Sequence, residues 1–166
     1  YPAAVIMLDL ASEMLAGATR GDVATVLFYK VLQWAGYSRN LKVAALERRL
    51  KKDGRYEEFT ARVQRDFNEP WTSIQSDPLM LDSIMPGIAH ALYPQLFATA
   101  SAFTTTESDF VTFGDQQAKE MIDLAREKSG KQNILFIIDE VGQYVGSRQG
   151  LIQNLDGLAK NLKLIG

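Results

Sequence analysis

The sequence predicts an α/β fold that is mostly helical, with two parallel strands and a large helical insertion between them. Two short apolar runs, Ala3 to Leu8 and Ile134 to Ile138, are each followed by an acidic residue. Unbroken apolar runs of this length are typical of strands buried on both faces of a parallel sheet. The residues between them show helical spacing of apolar side chains. We therefore expect a single domain over 1–166 in which residues 22–130 form a helical crossover or inserted lobe.

Composition excludes several classes of function. The chain is 46% hydrophobic and 23% charged, as in ordinary globular proteins, and its formal net charge of -2 gives no strong overall attraction to nucleic acid or membrane. There is no Cys, so disulfides and thiolate chemistry are excluded. The single histidine, His90, is expected to be structural rather than a ligand. No apolar run is long enough to span a membrane, and we expect a cytoplasmic protein without membrane contact.

Three amphipathic helices are predicted in the first half of the chain. Asp22 is a good N-cap for the first helix, which should end at Trp34 before Gly36. Asn40 is the expected N-cap of the second. The third should follow the break at Asp53-Gly54. Its apolar residues recur at i, i+3, i+7 and i+11: Tyr56, Phe59, Val63 and Phe67.

Prolines recur through the middle of the chain, at Pro70, Pro78, Pro86 and Pro94. Because proline suits the first turn of a helix but not its interior, we expect short helices with bends, one of them beginning at Asp77-Pro78. Ser101 to Ser108 is rich in Ser and Thr and is predicted to be a loop.

The last third of the chain predicts a helix, a strand and a final helix. Asp115 should begin a helix that ends at Gly130, directly before the second apolar run. The final helix should carry its leucines in one stripe: Leu151, Leu155, Leu158 and Leu162.

The stretch from Lys42 to Arg65 is basic, with eight positive and four negative side chains. One interpretation is a phosphate-contacting patch that binds nucleic acid through Arg48, Arg49, Lys51 and Lys52. The alternative is a solvated pair of helices, which the interleaved acids favour.

Asp139 and Glu140 follow the second apolar run directly and are the candidate catalytic pair. The carboxyl ends of parallel strands are where open α/β folds bind ligands. A carboxylate fixed there can hold Mg²⁺ beside phosphate groups, and a second acid can orient an attacking water. This pattern is the Walker B element of P-loop ATPases. The chain's only Gly-Lys pair, Gly130-Lys131, is followed by Gln and then a strand, so it is not a phosphate-binding loop.

The run Ile-Leu-Phe-Ile-Ile-Asp-Glu-Val-Gly-Gln-Tyr-Val-Gly at Ile134 to Gly146 is followed by Leu-Ile-Gln-Asn-Leu at Leu151 to Leu155. Together they resemble the Walker B region of the large P-loop ATPase of bacterial BREX phage-resistance systems (the BrxC/PglY family). The resemblance implies an AAA+-like core that uses ATP and Mg²⁺, with Asp139 coordinating the metal and Glu140 as catalytic glutamate. It further implies that the parent couples ATP hydrolysis to DNA-associated defence against phage.

The same resemblance makes this chain a fragment between the Walker A helix and the sensor 1 strand, inactive alone, with the phosphate loop expected before Tyr1. The implied partners are a DNA methyltransferase, other components of the system and DNA, and the parent is a candidate oligomer. Two alternatives stay open. Asp139 and Glu140 close a strand in a non-catalytic helical interaction module, or the basic stretch makes the chain a nucleic-acid-binding module.

Overall fold

The computed structural model describes residues 2–9, 23–106, 114–139 and 149–165. They divide between two compact units, one formed by Tyr1–Gly36 with Phe110–Gly166 and the other by Tyr37–Asp109. The strands are β1 (Ala3–Asp9) and β2 (Asn133–Asp139). The helices are α1 (Val23–Ala35), α2 (Leu41–Lys52), α3 (Tyr56–Phe67), α4 (Trp71–Ile74), α5 (Pro78–Leu92), α6 (Ala100–Thr105), α7 (Asp115–Ser129) and α8 (Gln149–Ile165).

The first unit confirms the two parallel strands. β1 and β2 pair from Ala3 opposite Asn133 to Asp9 opposite Asp139. Helix α1 contacts β1, α7 contacts β2, and α1, α7 and α8 contact one another. The helices bury apolar side chains, among them Leu27, Phe28, Val31, Met121, Ala125 and Leu158.

The expectation that both strands are buried on both faces is wrong. Side chains alternate between the faces of a strand, and in β1 only Ile6 and Leu8 are buried. Met7 is 72% exposed and Leu135 is 52% exposed. The physical reason is that the helices of the described residues contact one face of the pair and leave the other face open to solvent.

The second unit has its own apolar core, built by helices α2 to α6. Phe59 and Trp71 pack edge to face at its centre, with ring centroids 4.7 Å apart. Around them lie buried residues from α2, α3, α4, α5 and α6, including Leu50, Val63, Ile74, Met85, Ile88 and Phe103. Burial of this kind contributes roughly 1.5–3 kcal/mol for each large side chain.

The capping residues in the sequence predicted several helix ends correctly. The side chain of Asn40 caps α2 by accepting from the backbone N–H groups of Lys42 and Val43. Asp77 caps α5 in the same way, with Pro78 in the first turn. Gly130 ends α7 at φ +66°, a left-handed conformation that side chains rarely adopt.

Two expectations in the middle of the chain are wrong. Pro86 lies inside the 15-residue helix α5 and does not end it. Proline removes a single helical hydrogen bond, and α5 persists because Ile84, Met85 and Ile88 are buried in the core. The predicted loop at Ser101 to Ser108 contains helix α6, which Phe103 anchors in the same core.

The single domain over 1–166 with a helical lobe at 22–130 stays a prediction. The compact helical unit covers Tyr37–Asp109, whereas α1 and α7 belong with the strands. Their apolar stripes are covered by the sheet and by each other, which periodicity alone could not distinguish from packing within the lobe. The predicted N-cap Asp22 and the acid Glu140 lie outside the described residues.

Candidate functional site

The carboxyl edge of the two-stranded sheet brings Asp9 and Asp139 together. They are the last residues of β1 and β2 and are register partners. Neighbouring strands lie about 4.8 Å apart, and register partners in a parallel pair project from the same face. Asp139 is exposed. The edge therefore carries two carboxyl groups side by side on one face.

This face is the open one. Exposed apolar residues alternate with more buried neighbours along β1 and β2: Val5, Met7, Leu135 and Ile137. Each lies an even number of residues from the aspartate of its own strand, so it projects from the same face as that aspartate. On its exposed face each strand therefore carries apolar side chains followed by one carboxylate at its carboxyl end. The sequence showed both acids, but only the register shows that they are neighbours.

The two aspartates fit the donor set of a magnesium site. Mg²⁺ prefers oxygen ligands and is usually held by one or two carboxylates, together with waters and substrate phosphates. Within the described residues, no group of three or more His, Cys, Asp or Glu side chains forms a metal cage. A site of this kind would therefore depend on phosphate and water for its remaining ligands. Glu140, the predicted catalytic glutamate, lies outside the described residues.

The candidate phosphate contacts of the basic stretch are partly occupied by internal partners. Arg49 forms an ion pair with Asp53, with Arg49 Nε 2.8 Å from Asp53 Oδ2. The Tyr93 hydroxyl donates to the same oxygen at 2.9 Å. Hydrogen bonds from Arg49 and then Tyr93 hold the pKa of Asp53 below its usual range. These contacts tie the end of α2 to the residue that follows α5.

The other basic side chains of this stretch also differ in how far internal partners occupy them. The Lys51 ammonium lies 4.1 Å from the ring centroid of Tyr37 and 4.9 Å from that of Tyr56. Lys52 is exposed, and Arg48 is half-buried and has an interaction of its own. Contact of Arg48, Arg49, Lys51 and Lys52 with nucleic acid stays a prediction. The internal contacts supply a structural reason for much of the charge, as the solvated-helix interpretation requires.

His90 has the structural environment expected for it. Its Nδ1 lies 2.7 Å from the carbonyl oxygen of Phe97 and donates to it, since a carbonyl only accepts. The bond joins α5 to the segment before α6.

Glu47 is a buried acid that the sequence interpretation overlooked. It is 1% exposed in the core of the helical unit. The Ser38 backbone N–H donates to its Oε2 at 2.8 Å, and Trp71 Nε1 donates to its Oε1 at 2.6 Å. Burial raises the pKa of Glu47, although both hydrogen bonds oppose the shift. Burial and the nearby Glu47 raise the pKa of Tyr56 to about 12.

A signal for Glu47 was present in the sequence. It stands four residues after Val43, on the apolar stripe of α2, where an acid must find partners or lose its charge. Its contacts make Glu47 a structural acid that joins Ser38, near the start of the helical unit, to Trp71 in α4.

No family model matches the sequence, and no solved structure matches the chain. Among the described residues, no helix has both the length and the apolar character needed to cross a membrane.

Proposed function

We propose that this chain is the Walker B part of a P-loop ATPase core, and that its cytoplasmic parent couples ATP hydrolysis to DNA-associated defence against phage. The observation that carries the proposal is the position of Asp139. It ends a parallel strand, at the edge where open α/β folds bind ligands, and it lies beside a second carboxyl group. The link to phage defence comes from the sequence resemblance to the BREX ATPase.

Each residue of the edge has a role in this proposal. Asp139 and Asp9 would hold Mg²⁺, which neutralises phosphate charge when it is bound. Each strand fixes the backbone position from which its carboxylate projects. Glu140 would accept a hydrogen bond from water and orient it toward the phosphate. The 166 residues hold no Gly-x-x-x-x-Gly-Lys-Ser/Thr sequence, so the phosphate loop would belong to another part of the parent.

The test uses the intact parent protein and separates ATP binding from turnover. Glu140→Gln should bind ATP as the unchanged protein does and lose turnover by about 10²–10⁴-fold, the usual contribution of a residue that acts on a proton. Glu127→Gln, an exposed acid on α7, is the matched control and should retain turnover. Unchanged phosphate release by the Glu140 variant would exclude the catalytic role.

A second substitution tests the geometry of the edge. Asp9→Asn should raise the Mg²⁺ concentration needed for half-maximal turnover, because it removes one of two adjacent carboxylates. Asp139→Asn should raise it further. A parent whose Mg²⁺ dependence is the same with and without the Asp9 carboxylate would show that the strand pairing has no role in metal binding.

An interaction module is the second candidate function, and the separate core of the helical unit favours it. Residues from α2 to α6 share one apolar cluster, so the unit can present a surface without help from the sheet. In this case Asp139 and Glu140 only close a strand. A parent gene without any phosphate-loop sequence would favour this candidate over the ATPase.

A further inference from the structure

Helix α2 presents cations and a single alanine to the solvent. Its exposed and half-buried positions are Lys42, Ala45, Arg48, Arg49, Lys51 and Lys52. The only acid of the helix, Glu47, is 1% exposed and lies in the core of the helical unit. The outward side of α2, which we call the α2 face, therefore carries five cations and no acid, although the sequence of the helix mixes both signs.

Stabilisation of the helix accounts for part of this pattern. Cations in the last turn, where Arg49, Lys51 and Lys52 lie, interact favourably with the partial negative charge of a helix C-terminus. The same effect disfavours Lys42 in the first turn, but its ammonium has a local role there, since it donates to the carbonyl oxygen of Phe103 at 2.9 Å. Neither reason requires that every outward position but one be basic.

The acids that follow α2 leave an excess of positive charge. Asp53 Oδ2 lies 2.8 Å from Arg49 Nε, and Glu58 Oε2 lies 2.9 Å from Arg55 Nε. Each of these ion pairs has no net charge. Glu57, the remaining acid at the start of α3, is exposed and offsets the other cations of the α2 face only in part.

Lys51 and Lys52 supply much of that excess. The Lys51 ammonium lies over the rings of Tyr37 and Tyr56, which attract it through their quadrupoles and leave its charge in place. Lys52 is exposed. Because Tyr37 is buried beneath Lys51, its ring is not open for stacking on an unpaired base. The α2 face is therefore suited to phosphate groups rather than to the bases of a single strand.

A row of cations on a helix fits a regular polyanion. Arg48 and Lys52 lie about 6 Å apart along the axis of α2, and each strand of a DNA duplex carries a phosphate about every 3.4 Å along the duplex axis. Both side chains can therefore contact phosphates of one strand. A membrane surface fits less well, because a helix bound there needs exposed large apolar side chains, and α2, described along its whole length, has none.

We propose that the α2 face binds the phosphate backbone of duplex nucleic acid and does not read its sequence. The proposal depends on the charges of α2 and not on Asp139 or Glu140. Binding by this chain and ATP turnover by the parent can therefore fail separately.

The probe is a short fluorescein-labelled DNA duplex, titrated with the full chain and followed by fluorescence anisotropy. We expect a Kd of about 10⁻⁴–10⁻⁶ M at physiological salt. The logarithm of the association constant should fall against that of the salt concentration with a slope of about −2 to −4, which corresponds to about two to four phosphate contacts. A duplex of unrelated sequence should bind equally well. Absence of binding at low salt, or a strong preference for one duplex, would overturn the proposal.

Polyglutamate is the second probe and distinguishes nucleic acid from an acidic protein partner. It should displace the labelled duplex less well than an unlabelled duplex of equal total charge, because the duplex releases its condensed counterions on binding. Equal displacement would assign the α2 face to an acidic protein segment and overturn the proposal.

Two substitutions of exposed lysines place the binding on α2. Lys52→Gln should weaken binding about tenfold at low salt and reduce the slope by about one, which is the loss of one phosphate contact. Lys131→Gln, between α7 and β2, removes the same charge from the other unit and should bind as before. Equal losses for the two variants would show that binding depends only on the net charge of the chain and would refute the site.

The double variant Lys51→Gln/Lys52→Gln separates binding from folding. Loss of the contacts between Lys51 and the two tyrosine rings should lower the thermal midpoint, whereas Lys52→Gln alone should leave it unchanged. The slope of the double variant should be reduced by about two. A slope equal to that of Lys52→Gln alone would remove Lys51 from the surface and, with it, the row of cations that the proposal requires.

Discussion

Glu47→Gln tests whether the buried acid holds the helical unit together. The carboxylate accepts one hydrogen bond on each oxygen, from Ser38 and from Trp71. Glutamine has the same shape but only one acceptor oxygen, and its NH₂ group would face one of these donors. One buried N–H then loses its partner, which costs about 1–3 kcal/mol of the free energy of unfolding.

The loss should depend on pH, because the substitution also removes a buried negative charge. Burial raises the pKa of Glu47 above the ordinary 4.5 that it has in the unfolded chain. Its contribution to the free energy of unfolding is therefore fully present below pH 4.5 and is lost as the pH rises through the folded pKa. Glutamine has no such dependence, so the difference between the two proteins should be largest near pH 4 and shrink toward neutral pH.

The assay is urea unfolding followed by the fluorescence of Trp71, in a Trp34→Phe background because the chain has two tryptophans. Glu57→Gln is the matched control. It replaces an exposed acid of α3 and should change the free energy of unfolding by no more than about 0.5 kcal/mol. A Glu47→Gln loss as small as this at pH 4, or one that grows with pH, would refute the reasoning.

Two further predictions concern helix ends. Asn40→Ala should lower the free energy of unfolding by about 1 kcal/mol, because two N–H groups at the start of α2 lose their acceptor. The control Gln64→Ala, at an exposed position of α3, should change the free energy of unfolding little. Equal losses for the two variants in chemical denaturation would contradict the capping role of Asn40. Gly130→Ala should cost about 1 kcal/mol because of the positive φ. Gly157→Ala in α8, where an added Cβ meets nothing within 4 Å, should instead stabilise the protein by up to about 1 kcal/mol. Thermal midpoints that move in the same direction for the Gly130 and Gly157 variants would contradict these two predictions.

The sequence predicted those features that depend on residues within a few positions of one another. Asn40, Asp77 and Gly130 act on backbone groups of their own helix ends, so their roles could be deduced from residue type and order. The parallel pairing was also predictable, because two apolar runs separated by a long helical stretch need a crossover.

What could not be predicted depends on contacts between distant parts of the chain. The rule against proline inside a helix is local, and burial of Met85 and its neighbours outweighed it at Pro86. The partners of Glu47 include Trp71, which lies two helices further along, so α2 alone could show only an acid on an apolar stripe. Division into two units depends on which element each amphipathic helix covers, and periodicity carries no information about that.

The pairing of Asp9 with Asp139 bears most directly on function. Two like charges directly opposite each other on neighbouring strands destabilise the pair, and a positive group that binds at the edge reduces the repulsion. If the edge binds a cation, as we propose, Asp9 is the residue whose substitution separates that role from an acid that only closes a strand.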